Sequence, residues 1–140
     1  MMNTTLDGLI DWYQTLTMAS VERASVFYAP NARFSDPFND VEGLAAIEAI
    51  FRHMFESLES PLFLVSDCCR GEQSAMLRWE MRFSRSGVAF EIQGSTWLAF
   101  DPNGQVCRHV DYWDPAKALF MGIPLLGWAL RWLYGRLSTV

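Results

Sequence analysis

The sequence predicts an α+β domain in which helices come first and a curved sheet packs them on one face. Three observations carry this. Apolar residues recur at three- and four-residue steps over 5–18 and 43–58, the spacing of a helix with one buried stripe. Period-two alternation then runs through 62–114, broken by turn-forming residues. The chain of 140 residues is 51% hydrophobic, enough for one sizeable core, and it carries no internal repeat and no linker, so 1–140 is expected to be one domain.

In order along the chain, Thr5 can cap a helix whose stripe is Leu6, Leu9, Ile10, Tyr13 and Leu16, running to Met18. Ser20 opens a second short helix, "SVERASVFY", closed by Pro30 and Asn31. "ARFSDPF" reads as a strand ending at Pro37, followed by a turn-rich "NDVEG". Gly43 to Leu58 is the third helix, with Leu44, Ile47, Ile50, Phe51, Met54 and Phe55 buried. Strands follow at Leu62–Arg70, Met76–Ser84, Val88–Phe100 and Val106–Asp114, with turns at Arg85–Gly87 and at "DPNG", Asp101–Gly104. They read as an antiparallel meander. A C-terminal apolar helix is expected over about 123–137.

Charge and motifs exclude several classes of function. The net charge is −5 and no Lys/Arg run occurs, which argues against nucleic acid as a partner. Three cysteines give no disulfide framework, and the first residues show no signal-peptide pattern, so a cytoplasmic location is expected. Only His53 and His109 are present, without CxxC or HExxH spacing, so no metal site is expected. Walker, GxGxxG and GxSxG signatures are missing, and no cofactor is expected.

The stretch from Pro115 onward holds Lys117, Arg131 and Arg136 and no acid, so it carries +3 against −8 for the remainder. "ALFMGIPLLGWALRWLYGRL" is interrupted at Gly122-Ile123-Pro124, and neither half reaches the roughly 20 apolar residues of a membrane span. It reads first as a helix packed on its own domain or a partner, and second as a peripheral membrane contact.

Two strands hold the candidate chemistry. In "CRHVDYWD" alternation places Cys107, His109, Asp111 and Trp113 on one face, a carboxylate between a histidine and a tryptophan. In "MLRWEMRFS" one face carries Leu77, Trp79, Met81 and Phe83 and the other Arg78, Glu80 and Arg82. Either the apolar row is the core, or Arg78 and Glu80 line a cavity and the apolar row faces outward. Alternation leaves both open.

The helix order, "FSDPF" and the ending "DYWD" resemble the nuclear-transport-factor-2-like superfamily, over about Leu6 to Leu133. That group includes ketosteroid isomerase, limonene-1,2-epoxide hydrolase and SnoaL-like polyketide cyclases. The resemblance implies a cone-shaped sheet with helices on its concave face, enclosing a pocket. It also favours the inward reading of Arg78 and Glu80. Arg78-Trp79-Glu80, followed 31 residues after Glu80 by Asp111, is similar to the epoxide hydrolase's Arg-x-Asp and distal Asp. Carried over, Asp111 is the base, Glu80 the acid and Arg78 the fork between them. Phe34 and Asp36 fall where that enzyme has its water-orienting tyrosine and asparagine.

"FSDPF" also resembles the isomerase strand that carries its proton-shuttling Asp, which makes Asp36 a second candidate base. Tyr13 falls within one residue of the isomerase's oxyanion tyrosine, whereas Thr96 lies near its second oxyanion donor. His109, Trp113, Phe34 and Tyr13 would then line a substrate pocket. Residue by residue, Asp36 reads equally as a turn former, Tyr13 as a core aromatic, and Trp79 and Trp97 as packing residues. A small hydrophobic molecule is the expected partner. A homodimer is expected if Leu77, Trp79, Met81 and Phe83 do face outward. The functional expectation is a cofactor-free acid–base hydrolase, isomerase or cyclase, against a non-catalytic binding or dimerisation module of the same fold.

Overall fold

The computed structural model of the chain describes residues 2–120 and 124–138. Helix α1 spans Met2–Gln14, a 3-10 turn Ala19–Arg23 leads into α2 (Ala24–Phe27), and α3 spans Leu44–Ser57. The strands are β1 (Tyr28–Ser35), β2 (Asp40–Glu42), β3 (Glu59–Arg70), β4 (Ser74–Arg85), β5 (Val88–Phe100) and β6 (Val106–Tyr112). A π-helical turn at Ala116–Phe120 precedes α4 (Pro124–Leu137). The expected C-terminal helix is present, while its Gly122-Ile123 interruption lies outside the described residues.

The sheet order is β2-β1-β6-β5-β4-β3. It is mixed rather than all antiparallel, because β1 runs parallel to β6. Two boundary expectations also change. Thr17 and Ser20 exchange N–H···Oγ bonds of 2.9 and 3.1 Å, which stops α1 before Met18. "NDVEG" is not only a turn: Asp40–Glu42 pairs with Arg33–Ser35, pinned by a two-pronged Arg33–Asp40 ion pair with both bonds at 2.9 Å. Pro30 lies within β1 where the pairing with β6 is irregular, between Tyr28 and Arg33, as its missing N–H requires.

Helices α1 and α3 pack on one face of this sheet. Leu6, Leu9 and Trp12 of α1 and Ile47 and Phe51 of α3 are buried against it. The backbone N–H of Val65 donates to Gln14 Oε1 at 2.9 Å and ties the end of α1 to a register shift in β3. Gly43, at φ 101°, turns the chain from β2 into α3, a conformation that any side chain would strain.

Strand β4 settles its two readings. Leu77, Trp79, Met81 and Phe83 are buried under the helices, and Arg78 and Arg82 are exposed on the outer face. Each of the four apolar side chains gains about 1.5–3 kcal/mol from burial, whereas turning the strand would desolvate charges instead. The outward apolar row that called for a dimer partner is therefore the inner wall of the core.

A bulge at Cys107 sets β6. Phe100 pairs with Val106 but Ala99 pairs with Arg108, so one residue is unmatched. Val106 and His109 consequently both point inward. Cys107 leaves the face it was expected to share with His109, and its thiol contacts the Ala99 carbonyl at 3.4 Å.

Candidate active site

The register of β6 against its two neighbours builds the site. Thr96 lies directly opposite Asp111, and Phe34 lies beside His109 across the parallel pair. His109 and Asp111, two residues apart on one face, join through Nε2···Oδ1 at 2.7 Å. Thr96 donates its hydroxyl to the same Oδ1 at 2.5 Å, and the Trp79 indole N–H donates to Thr96 Oγ1 at 2.8 Å. On the far side of the imidazole, Tyr28 OH is 2.8 Å from Nδ1, and Tyr13 OH is 2.5 Å from Tyr28 OH. The Phe34 ring stacks on the imidazole with centroids 4.2 Å apart.

Donor inventory fixes the direction of these bonds. Trp79 can only donate, so Thr96 accepts from it and passes its own proton toward Asp111. Burial pushes the Tyr13 and Tyr28 phenols far above their ordinary value, so both stay protonated. His109 Nε2 bonds Asp111 Oδ1, and the Tyr28 and Tyr13 hydroxyls continue this network from Nδ1. Two donor chains thus converge on Asp111 Oδ1. Among the described residues no group donates to Oδ2.

Asp111 is also among the residues that line both of two adjoining spaces. A chamber of about 40 Å³, against Tyr13, Thr96, His109 and Asp111, has room for water or a small substituent. A cleft of about 460 Å³ opens outward from Phe34, Phe51, Phe63, Trp79 and Asp111, walled further by Met81, Phe83, Phe90 and Trp113. That is the size and character of a small-molecule site, apolar with few polar groups. The Asp111 side chain is 18% exposed and His109 only 5%, so the carboxylate is the more accessible of the two.

Of the residues expected from sequence, Asp111, His109, Phe34 and Tyr13 come together here, and Trp113 walls the open cleft. Asp36 borders the cleft too, but its turn occupies it. Asp36 Oδ1 accepts from the Phe38 and Asn39 N–H groups at 2.8 and 2.7 Å, and Asn39 Nδ2 reaches both oxygens at 3.1 Å.

Arg78 and Glu80 do not join the site. They lie on the opposite face of β4, where Arg78 donates to Gln93 at 3.2 Å and Glu80 accepts from Arg82 at 3.0 Å. The fork between two carboxylates is absent because the apolar row claims the inner face.

Tyr28, Trp79 and Thr96 are the members that sequence reasoning missed as partners. A regular hairpin counted from the Phe100–Val106 pair would set Thr96 opposite Val110, and only the bulge brings Asp111 into line. Among the described residues no three His, Cys, Asp or Glu side chains converge to hold a metal.

A family model described as "SnoaL-like domain" matches residues 9–109, well over half of the chain. No curated protein matches the sequence. Solved structures of the same fold do. One is an NTF2-like protein of unknown function from Exiguobacterium sp. 255-15, with TM-score 0.69 and 15% identity over 79% of this chain and 98% of that one. A second, from Jannaschia sp. CCS1, is proposed to be a SnoaL-like polyketide cyclase; its TM-score is 0.73 at 16% identity over 83% and 87%. A third, from Catenulispora acidiphila DSM 44928, has a ketosteroid isomerase-like fold and was solved with trimethylamine; its TM-score is 0.70 at 12% identity over 82% and 88%. At these identities the likeness is one of fold.

Proposed function

The chain belongs to the SnoaL-like domain family, and from that premise we propose that it is a cofactor-independent acid–base enzyme. Its substrate is a hydrophobic small molecule, and its reaction is a proton shuttle of the isomerase or cyclase type. The observation that carries this is the asymmetry of Asp111. Two donor chains hold Oδ1, Oδ2 has no donor among the described residues, and Asp111 lines both chamber and cleft.

In this reading Oδ2 takes a proton from a carbon beside a carbonyl, and the electron pair moves onto the carbonyl oxygen as an enolate. The carboxyl group then returns that proton to another carbon, which is isomerisation. Alternatively the enolate carbon attacks a second carbonyl, and the new alkoxide takes the proton, which closes a ring. Thr96 and His109 keep the carboxylate in one orientation throughout, the pre-organisation general-base catalysis needs. An epoxide-opening pair has less support, since it calls for a second carboxyl group facing Asp111 and Glu80 lies on the other side of the sheet.

The test is deuterium wash-in. Apolar cyclic ketones that bind the protein are incubated with it in D2O, and loss of the α-proton signal is followed by NMR. The wild type should catalyse exchange, and Asp111→Asn should slow it by about 10²–10⁴-fold with ligand affinity retained. Bound ketones that never exchange, or exchange equally well on Asp111→Asn, would identify a binding module of the same fold.

A further inference from the structure

Helix α4 leaves several large apolar side chains uncovered. Trp128 is 63% exposed, Trp132 56%, Leu133 44% and Leu137 73%. Positions 128 and 132 share one helix row, with Arg131 and Arg136 on either side of it, whereas Leu133 and Leu137 stand on a separate row and Leu137 lies opposite Trp128. Gly127 is buried and Leu130 half-buried, so that side does the packing, and Tyr134 reaches from it to Asp114 at 3.4 Å. The first expectation from sequence is a helix packed on its own domain or a partner, and these exposures show that its own domain does not cover it wholly.

The charge around this surface identifies what covers it. Lys117, Arg131 and Arg136 follow Asp114 and no acid does, whereas the chain up to Asp114 carries −8. The Arg136 guanidinium sits 5.2 Å over the Trp132 ring, holding a cation at the edge of the indole surface. Tryptophans flanked by arginines suit the boundary where acyl chains meet phosphate headgroups. At 14 residues α4 is about 21 Å long, suited to lying in that boundary and too short to cross it.

We propose that α4 is an interfacial anchor that docks the protein on an anionic lipid surface. Trp128 and Trp132 enter the acyl boundary, and Arg136, on the flank of their row, meets headgroup phosphate. Leu119, on the π-helical turn preceding α4, lines the apolar cleft, so the anchor lies close in sequence to the ligand site. The anchor does not depend on whether Asp111 catalyses a reaction.

Flotation of the full chain with vesicles tests it. Phosphatidylcholine vesicles containing about one-third phosphatidylglycerol should bind at least about tenfold more protein than pure phosphatidylcholine, with a blue shift in tryptophan emission and a loss at high salt. Trp128→Ser/Trp132→Ser should lower binding by about tenfold or more. Arg136→Glu should lower it several-fold while leaving the apolar surface in place. Near-UV circular dichroism confirms that each variant is folded. Three results would overturn the proposal: no vesicle binding, equal binding to neutral and anionic vesicles, or a self-associated wild type that the tryptophan variant makes monomeric without any vesicle binding. The last would assign the face to a second copy of the chain.

Discussion

Asp36 and Asp111 border one cleft and differ in how their oxygens are occupied. Asp36 sits in the short connection between β1 and β2, where the turn's own N–H groups and Asn39 take up both oxygens. Asp111 sits near the end of β6, where Thr96 of β5 and His109 of its own strand both reach Oδ1. A carboxylate becomes available for proton transfer when its supports gather on one oxygen. Proximity to a pocket does not suffice.

The contrast breaks most sharply on Asp111→Asn. Ketone exchange should fall by about 10²–10⁴-fold, while the melting temperature moves little, since an amide oxygen can still accept from Thr96 and His109. A variant that loses its fold along with its exchange would make Asp111 a structural residue like Asp36.

Gly94→Ala probes the support behind Thr96. A Cβ there would lie 2.5 Å from Trp79 Cζ2 and 3.0 Å from the Tyr112 carbonyl. The indole must shift, at a cost of about 1–3 kcal/mol, and its bond to Thr96 should go with it. Urea titration and exchange kinetics should register both losses together; unchanged exchange would show that the Trp79–Thr96 chain does not position the base.

The other support titrates. The unfolded chain ionises its tyrosines near pH 10, whereas burial keeps Tyr13 and Tyr28 protonated well above that in the fold. Their contribution is therefore fully present below about pH 10 and lost as pH rises toward the folded values. The expected slope is about 1.4 kcal/mol per pH unit for each tyrosine. Urea midpoints measured above pH 10 should fall less steeply for Tyr28→Phe than for the wild type.

The smallest effect belongs to the other carboxylate. Asp36→Ala should cost about 1 kcal/mol through its turn and leave exchange within about twofold. A large loss of exchange at unchanged stability would return Asp36 to the chemistry.

Most of the fold is legible in the sequence, because α1, α3 and the long strands each carry an unbroken period. Asp111, His109, Phe34 and Tyr13 are legible as one site through position and resemblance together. Alternation on β4 separates its two faces without saying which is inner, so Arg78 and Glu80 are misplaced. Tyr28 escapes because it stands where helical spacing gives way to a strand containing Pro30. Thr96 escapes because one extra residue, Cys107, shifts the register that brings it to Asp111. Long periodic segments announce themselves, whereas single-residue irregularities do not, and this site is built on two of them.

The parallel pairing of β1 with β6 also governs when the site comes into being. It sets Phe34 beside His109, two residues about 75 apart in the chain. Chain closure over that distance is slow compared with forming the β3–β4–β5 meander, whose contacts are local. On a ribosome α1, α2, α3 and the meander can take shape while β6 is still in the exit tunnel. Until then the Tyr28 and Tyr13 hydroxyls have no imidazole to meet, and the slot between β1 and β5 stands open. The candidate catalytic carboxylate thus arrives in the same strand that closes the sheet, so a chain able to use it has already completed that sheet.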